Sequence, residues 1–524
     1  MSSEPAAHTF PWINDPILGL WYSKKPILTG YRLMKTLKQF QFRWLNLLGI
    51  LLILVSCTPR QRPTYIVSET VPSDTPIEPS ATPYDTRPVY PPGTLVDYVA
   101  QSGDNLDLLS LRFGTSPSEI LFSNPEIPQD ITTLPPGFPM KMPIYYTPFW
   151  GPSYQIIPDA AFVYGPDLQD FDLRVFLDST DGWFKNFGAN IQEKYRDSTE
   201  VIKYYSVNYS LNPKLLLALV EYQTGALSNP QRDRTKEATF LGFENYSSTV
   251  ELQISYASDL LNDGFYRYFN GELTSLALED GTIENIDPWQ NSATVALHYY
   301  FSQVYKGEAY KKAIGPDGFA KTFKDLFGDP WQRNLTVLPG SLSQPQFILP
   351  FQAGTTWSYT GGPHTGWGSR KPWAAIDFAP PLPTQGCVET EQYALAIADG
   401  VVARIDVGTV MLDLDGDGDE RTGWVILYLH VAEEGRVKVG DRLKQGDKVG
   451  RPSCEGGNAT GTHIHLARKY NGQWIPAAWN VLPFNLEGWI PVEGMAAYQG
   501  ELVRGTQVVR ASTLSDSASM IPAD

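Results

Sequence analysis

The stretch Gly461-Thr462-His463-Ile464-His465-Leu466 constrains this chain more than any other. In an extended strand side chains alternate between faces, so residues 463 and 465 present both imidazoles to one side. The Gly-Thr before them and the Leu-Ala after them suit a strand entering from a turn. Histidine is otherwise scarce: the 524 residues hold six, and His364, His430, His463 and His465 fall in the last third. His430 ends a second strand-like run, Trp424-Val425-Ile426-Leu427-Tyr428-Leu429-His430. His364 closes the turn-rich Thr360-Gly361-Gly362-Pro363-His364, and Asp377 follows in Ala375-Ile376-Asp377-Phe378.

Neutral imidazole and carboxylate are ordinary zinc ligands, and three protein ligands with one open position make a catalytic arrangement. A lone histidine is more often a hydrogen-bonded core residue. Four of them with an aspartate, on glycine-flanked strand ends, point to a metal site instead.

These residues carry a resemblance. From about 346 to 483 the chain resembles the zinc endopeptidases of the lysostaphin and beta-lytic type, which cut peptide crosslinks in bacterial cell walls. The resemblance implies one Zn²⁺ on His364, Asp377 and His465. It also implies catalytic roles for His430 and His463, which match the two family histidines that flank the water and the reacting carbonyl. Which of the two accepts a proton and which donates to the oxyanion stays open. Twelve residues separate His364 from Asp377. The common branch has three there, and the longer gap after Thr-Gly-Gly-Pro-His resembles the beta-lytic branch.

At this length several domains are expected, and 42% apolar residues suffice for packed cores. The 42 prolines and 44 glycines imply much loop and linker, and the net charge of −16 argues against a general nucleic-acid or anionic-membrane surface. Residues 1–57 read as a targeting segment: Lys35, Lys38 and Arg43 precede an apolar run from Leu45 to Val55. That run is shorter than the roughly 20 apolar residues of a membrane span. Leu54-Val55-Ser56-Cys57 resembles the lipobox of bacterial lipoproteins. This implies lipidation of Cys57, membrane attachment and an extracytoplasmic envelope location; an uncleaved anchor is the alternative. Met34-Lys35 would begin a tidier signal than Met1. Residues 58–95, rich in Pro, Ser, Thr and acidic residues, read as a disordered tether.

Residues 96–145 read as a βααβ module with Gly103-Asp104-Asn105-Leu106 before one helix and Asn124-Pro125 after another. It resembles the LysM module, which implies peptidoglycan glycan binding near those six residues; a packing domain without ligand is the alternative. Residues 155–335 are mostly helical, with periodic apolar runs over 199–209, 213–223, 250–261 and 294–305. The phrase from Asn212 to Gly225 faintly resembles the lysozyme-like lytic transglycosylases. Where those enzymes keep an acid this chain has Gln223, and Glu221 lies about 200° around the helix from it. The region therefore reads as non-catalytic.

Residues 346–491 read as an antiparallel β-sheet domain with the metal on one face, and 492–524 as a loose Ser/Ala/Thr tail. Asp413, Asp415, Asp417 and Asp419 alternate around glycines, a pattern shared by Ca²⁺ loops and acidic hairpin tips; Trp424 at the twelfth position breaks the EF-hand pattern and favours the tip. With Cys57 assigned to lipid, Cys387 and Cys454 form an even pair in an exported domain, which suits a disulfide. Zinc ligation by the two cysteines, or two free buried thiols, are the alternatives. The whole reads as a multidomain α+β chain, a wall-bound zinc endopeptidase of peptidoglycan. A non-catalytic envelope scaffold that recruits another hydrolase is the rival.

Overall fold

The computed structural model describes residues 87–524 apart from 146–150, 245, 247 and 334. The signal-like segment, Cys57 and the tether up to residue 86 lie outside the described residues. Residues 87–95 do not continue a loose tether. Arg87 pairs with Asp287 at 2.7 Å and lies over the Trp289 ring, and a strand begins at Thr94. Among the described residues no helix is long and apolar enough to cross a membrane.

The first unit is a small βααβ layer. Strand β1 (Thr94–Val99) pairs antiparallel with β2 (Pro139–Ile144), and helices α1 (Leu106–Phe113) and α2 (Pro117–Ser123) pack on them. Asn105 caps α1 by accepting the Leu108 N–H, and Gly114 ends it in the left-handed conformation.

The helical region contains α3 (Leu173–Asp178), α4 (Ser198–Tyr209), α5 (Pro213–Thr224), α6 (Val250–Phe269), α7 (Ser292–Ser302), α8 (Gly307–Ile314) and α9 (Phe319–Phe327). Two hairpins, β3 (Gly188–Ile191) with β4 (Lys194–Asp197) and β5 (Ser275–Ala277) with β6 (Ile283–Asn285), decorate it. Local chemistry marks the ends. Asp197 and Glu200 form a capping box on α4, while Asn212 and Pro213 open α5 and left-handed Gly225 closes it.

The last third is built on an antiparallel nine-stranded sheet. Its strands are β7 (Thr356–His364), β8 (Ala375–Ala379), β10 (Gly400–Asp406), β11 (Thr409–Asp413), β12 (Trp424–Leu429), β13 (Arg442–Leu443), β15 (Ile464–Tyr470), β16 (Gln473–Trp474) and β20 (Met520–Pro522). They run in the order β13-β10-β11-β12-β15-β8-β7-β20, with β16 paired to β15. A small ribbon of β9 (Ala394–Leu395) and β14 (Lys448–Gly450) lies apart from this sheet. The final 33 residues are not a loose tail. They contain β17 (Ile490–Glu493, which starts just before them), β18 (Gly500–Arg504) and β19 (Gln507–Arg510) in a three-stranded sheet, and β20 joins the edge of β7. Apolar Leu502 and Val509, both buried, and a left-handed Gly505 at the β18–β19 turn make that hairpin.

Period-two alternation splits the sheet. Ile376, Phe378, Tyr428, Ile464 and Leu466 enter one core. Ala375, Leu427, Leu429 and Ala467 face the other way and share a single core with the helical region. Polar contacts seal this seam: the Trp474 N–H donates to Tyr266 Oη at 2.9 Å, and Arg421 Nη1 to Leu168 O at 2.8 Å.

A buried lysine lies in the seam. Lys469, 1% exposed, donates to Val207 O at 3.1 Å and lies over the Trp474 ring. Burial pushes its ammonium down to about 7, with smaller opposed effects from Glu420 and Arg404. A lysine whose folded pKa falls below its unfolded value of about 10.4 binds its proton less tightly in the fold. The stability penalty is then full below the folded pKa and fades as pH rises towards the unfolded one. Lys469→Met should therefore raise the melting temperature at pH 6–7, by the equivalent of about 1–3 kcal/mol. Thermal melts across pH should show the gain shrinking from about pH 7 upward and gone above about pH 10; a pH-independent loss of stability would refute this account.

Candidate metal centre

Strand register assembles the site. His465 on β15 is paired with Asp377 on β8, Asp377 is opposite Gly361 on β7, and Leu429 at the end of β12 is opposite His465. His364 ends β7, and His430 follows β12 in a left-handed conformation at φ 66°. For a non-glycine residue this is a costly backbone state that clusters at functional sites. Gly361 is required because a Cβ there would lie 2.4 Å from Asp377 Oδ2. Gly362 is required because a Cβ would meet the Gln499 carbonyl at 2.3 Å.

His364 Nε2 and His465 Nδ1 lie 2.9 Å apart, and each is 3.2 Å from Asp377 Oδ1. All three residues are buried. The outer nitrogens are tied down: His364 Nδ1 donates to Gly362 O at 2.8 Å, and His465 Nε2 to Gly366 O at 3.3 Å. With those as the N–H groups, the inner nitrogens are lone pairs, and they face a buried carboxylate oxygen that accepts no hydrogen bond. Three such atoms turned on one another favour a cation between them. Two imidazole nitrogens and a carboxylate oxygen, with carbonyls fixing both rings, fit zinc.

Burial alone would raise the Asp377 carboxyl, but positive charge among the surrounding His364, His463 and His465 would hold it well below the usual carboxylate range, so the cage suits the anion. Burial, despite Asp377, lowers His465 and keeps its ring neutral for ligation. His430 and His463 stand beside this trio with ring centroids 4.5 Å apart. His430 Nδ1 donates to Glu455 O and His463 Nδ1 to Gly461 O, so both direct Nε2 inward. His463 Nε2 is 3.7 Å from Asp377 Oδ2. Burial, then the neighbouring His463 and His465, pushes His430 down to about 3.

The sequence reading missed Tyr498. Its ring stacks on His364 with centroids 4.1 Å apart, and its backbone accepts the Gly362 N–H. Burial, then Asp377, raises its phenol well above the ordinary value. The hairpin pattern around Gly505 was the available signal that residues 492–524 fold back onto the site.

The disulfide Cys387–Cys454 is formed, with Cα atoms 5.8 Å apart. It ties the loop after β8 to the loop before β15, where Thr462 N–H donates to Gly386 O and Thr462 Oγ1 to Val388 O. The remaining candidates lie elsewhere. Asp104 accepts from Tyr98 Oη and the Gln101 N–H, and Asn105 caps α1. Asn124 bonds Ile120 and Lys141, and only Pro125 of the six is exposed. Gly103 and Leu106 are buried, and a Cβ at Gly103 would lie 2.2 Å from the Phe269 ring of α6. Asp413, Asp415 and Asp417 cluster within 4.8 Å, but Asp413 is already satisfied by the N–H groups of Asp415, Gly416 and Gly418, and Asp419 turns to Arg421. This is a hairpin tip held by its own backbone, and nothing there supports Ca²⁺. Gln223 accepts from Tyr300 Oη and donates to Leu241 O, which makes it a packing residue.

Comparison with known proteins adds the following. Residues 155–341 match the LasA N-terminal domain family. Protease LasA of Pseudomonas aeruginosa (strain UCBPP-PA14) is 26% identical over 335 residues, covering 60% of this chain and 74% of that protein. Among solved structures, the M23 metalloprotease pseudoalterin is 22% identical over 32% of this chain and 96% of its own, with a TM-score of 0.27. The lysostaphin catalytic domain from Staphylococcus simulans is 20% identical over 24% of this chain and 88% of its own, with a TM-score of 0.16. These likenesses are all to peptidases.

Proposed function

We propose that this chain is a zinc endopeptidase that hydrolyses peptide bonds of bacterial cell-wall peptidoglycan. The observation that carries the reading is the convergence of His364 Nε2, His465 Nδ1 and the unbonded Asp377 Oδ1. Similarity to a protease over 60% of the chain supports it. Zinc held by these three residues would polarise the scissile carbonyl and bring the pKa of a water towards about 7.

The chain's own groups manage the proton. His430 is neutral, with Nδ1–H committed to Glu455 O, so its inward Nε2 offers a lone pair to the attacking water. His463 Nε2, 3.7 Å from Asp377 Oδ2, is the second imidazole nitrogen that faces the site, where the tetrahedral oxyanion would develop. Tyr498, stacked on His364, limits the motion of one ligand and closes that side to water. The purified full chain should contain one zinc and solubilise purified peptidoglycan; a chain with zinc that leaves wall peptide intact would overturn the substrate assignment.

The helical region contributes no glycan cleavage in this proposal, since Gln223 is locked in packing and Glu221 accepts from Ser228 and Leu227. An Asp377→Ala chain incubated with purified walls should release no anhydro-muropeptides; their release would refute the assignment. The βααβ unit is proposed as a LysM-type wall module, and Cys57 as a lipidation site that holds the chain at the membrane outside the cytoplasm. Intact-mass analysis of membrane-extracted protein should find a lipid-modified Cys57 at its N-terminus; retention of residues 35–56 would exclude this.

A further inference from the structure

The loop 365–374, which joins two of the proposed ligands, is held by a different part of the chain. Gly366 supplies the carbonyl that accepts from His465 Nε2. Its own N–H donates to Pro372 O at 3.0 Å, and it packs so closely on Trp474 that a Cβ would lie 3.1 Å from the ring. At the loop's apex Gly368, at φ 89°, comes so near α6 that a Cβ would lie 2.2 Å from Asp259 Oδ1 and 2.7 Å from Tyr209. The next residue is gripped directly: Asp259 Oδ1 accepts the Ser369 N–H at 3.0 Å and Oδ2 accepts Ser369 Oγ at 2.8 Å. One turn along α6, Asp263 faces Arg370 Nη1 at 3.5 Å. Residues four apart share a helix face, so two carboxylates of α6 hold two consecutive loop residues.

Asp259 is only 5% exposed. A buried carboxylate is costly unless its lone pairs are used, and here the loop uses them. Without that grip the loop has no charged tether on its α6 side at Ser369, and the Gly366 carbonyl loses part of what fixes it. Carbonyls that orient a ligating imidazole set its ring plane and its basicity at the metal-facing nitrogen.

We propose that Asp259, from the helical region, is a positioning residue of the metal centre: through Ser369 it holds the 365–374 loop so that Gly366 O orients His465. The helical region is then part of the metal site's support rather than an independent module. This rests on the assignment of His364, Asp377 and His465 as zinc ligands.

The test uses the full chain and zinc alone. Zinc affinity is measured by competition with a chelator of known affinity for wild type, Asp259→Ala, Asp259→Asn, Ser369→Ala and the Asp259→Ala/Ser369→Ala double variant. The absorption spectrum of each Co²⁺-loaded form and the melting temperature of each zinc-free form are recorded in parallel. Asp259→Ala and Ser369→Ala should each weaken zinc binding by about 10–100-fold, the range for lost outer partners of a ligand. The double variant should be little worse than Asp259→Ala alone, because that change already removes both hydrogen bonds to Ser369. The Co²⁺ spectrum should shift, and Asp259→Asn should retain part of the affinity. Ser369→Ala removes only a hydroxyl and keeps the test alive if Asp259→Ala fails to fold. A wild type that binds zinc tightly, with Ser369→Ala and Asp259→Asn binding it equally well and giving an unshifted spectrum, would overturn this proposal alone. A wild type that takes up no zinc would overturn the ligand assignment, and this proposal with it.

Discussion

His465→Ala and Asp377→Ala are each expected to abolish stoichiometric zinc and, with it, wall hydrolysis. Each change removes one of three atoms that meet within 4.8 Å, and a two-ligand remnant cannot hold the ion against water. Asp377 also supplies the site's negative charge. Its loss leaves His364 Nε2 and His465 Nδ1 facing each other at 2.9 Å without the anion that offsets a cation. His463→Ala separates metal from chemistry: zinc should stay, while turnover falls by about 10²–10⁴, the range for a lost general acid or base. Elemental analysis of the purified proteins, paired with the loss of turbidity of purified walls, reads both. Zinc retained at full stoichiometry in Asp377→Ala would show that the metal lies elsewhere. Undiminished turnover in His463→Ala would remove that residue from the reaction.

The second large effect is on stability. Replacing Cys387 and Cys454 together by serine opens a cross-link spanning 67 residues and should cost about 4 kcal/mol. Loop entropy in the unfolded chain sets that scale. The folded site should suffer as well, because the bridge pins the loop that delivers His463 against the one whose Gly386 carbonyl accepts from Thr462. Turnover of the folded variant should therefore fall even where zinc content does not. Denaturant melts of the oxidised, reduced and doubly substituted proteins give the stability term. A doubly substituted protein as stable as the oxidised wild type would mean that the surrounding contacts already restrict the loop.

Much of the site was legible because its chemistry follows from local rules. Period-two alternation puts His463 and His465 on one side of a strand, and the Gly461-Thr462 turn marks where β15 begins; the Gly-Gly-Pro stretch before His364, read as a turn-rich loop, instead lies inside β7, where irregular pairing with β8 absorbs it. The start of α5 was equally local, announced by Asn212-Pro213. Even cysteine parity, in a chain read as exported, sufficed to suggest the bridge.

What the residues did not disclose depends on distant pairings. The last 33 residues look like a polar tail because their strands are short and half exposed. Only the partners, β20 on β7 and Tyr498 on His364, turn them into part of the site. Gly103, Asp104, Asn105 and Asn124 read as a binding face because glycine, aspartate and asparagine serve loops and ligands alike. Tertiary packing commits them to helix caps, internal hydrogen bonds and the Phe269 contact. The grip of Asp259 on Ser369 joins residues 110 positions apart, and no periodicity reports such a contact. The sequence by itself determined which side chains can bind a metal, since that is a property of residue type and strand phase. Only the tertiary structure decided how they are held, because the carbonyls and carboxylates that orient them come from segments whose proximity is set by the shared core of helices and sheet.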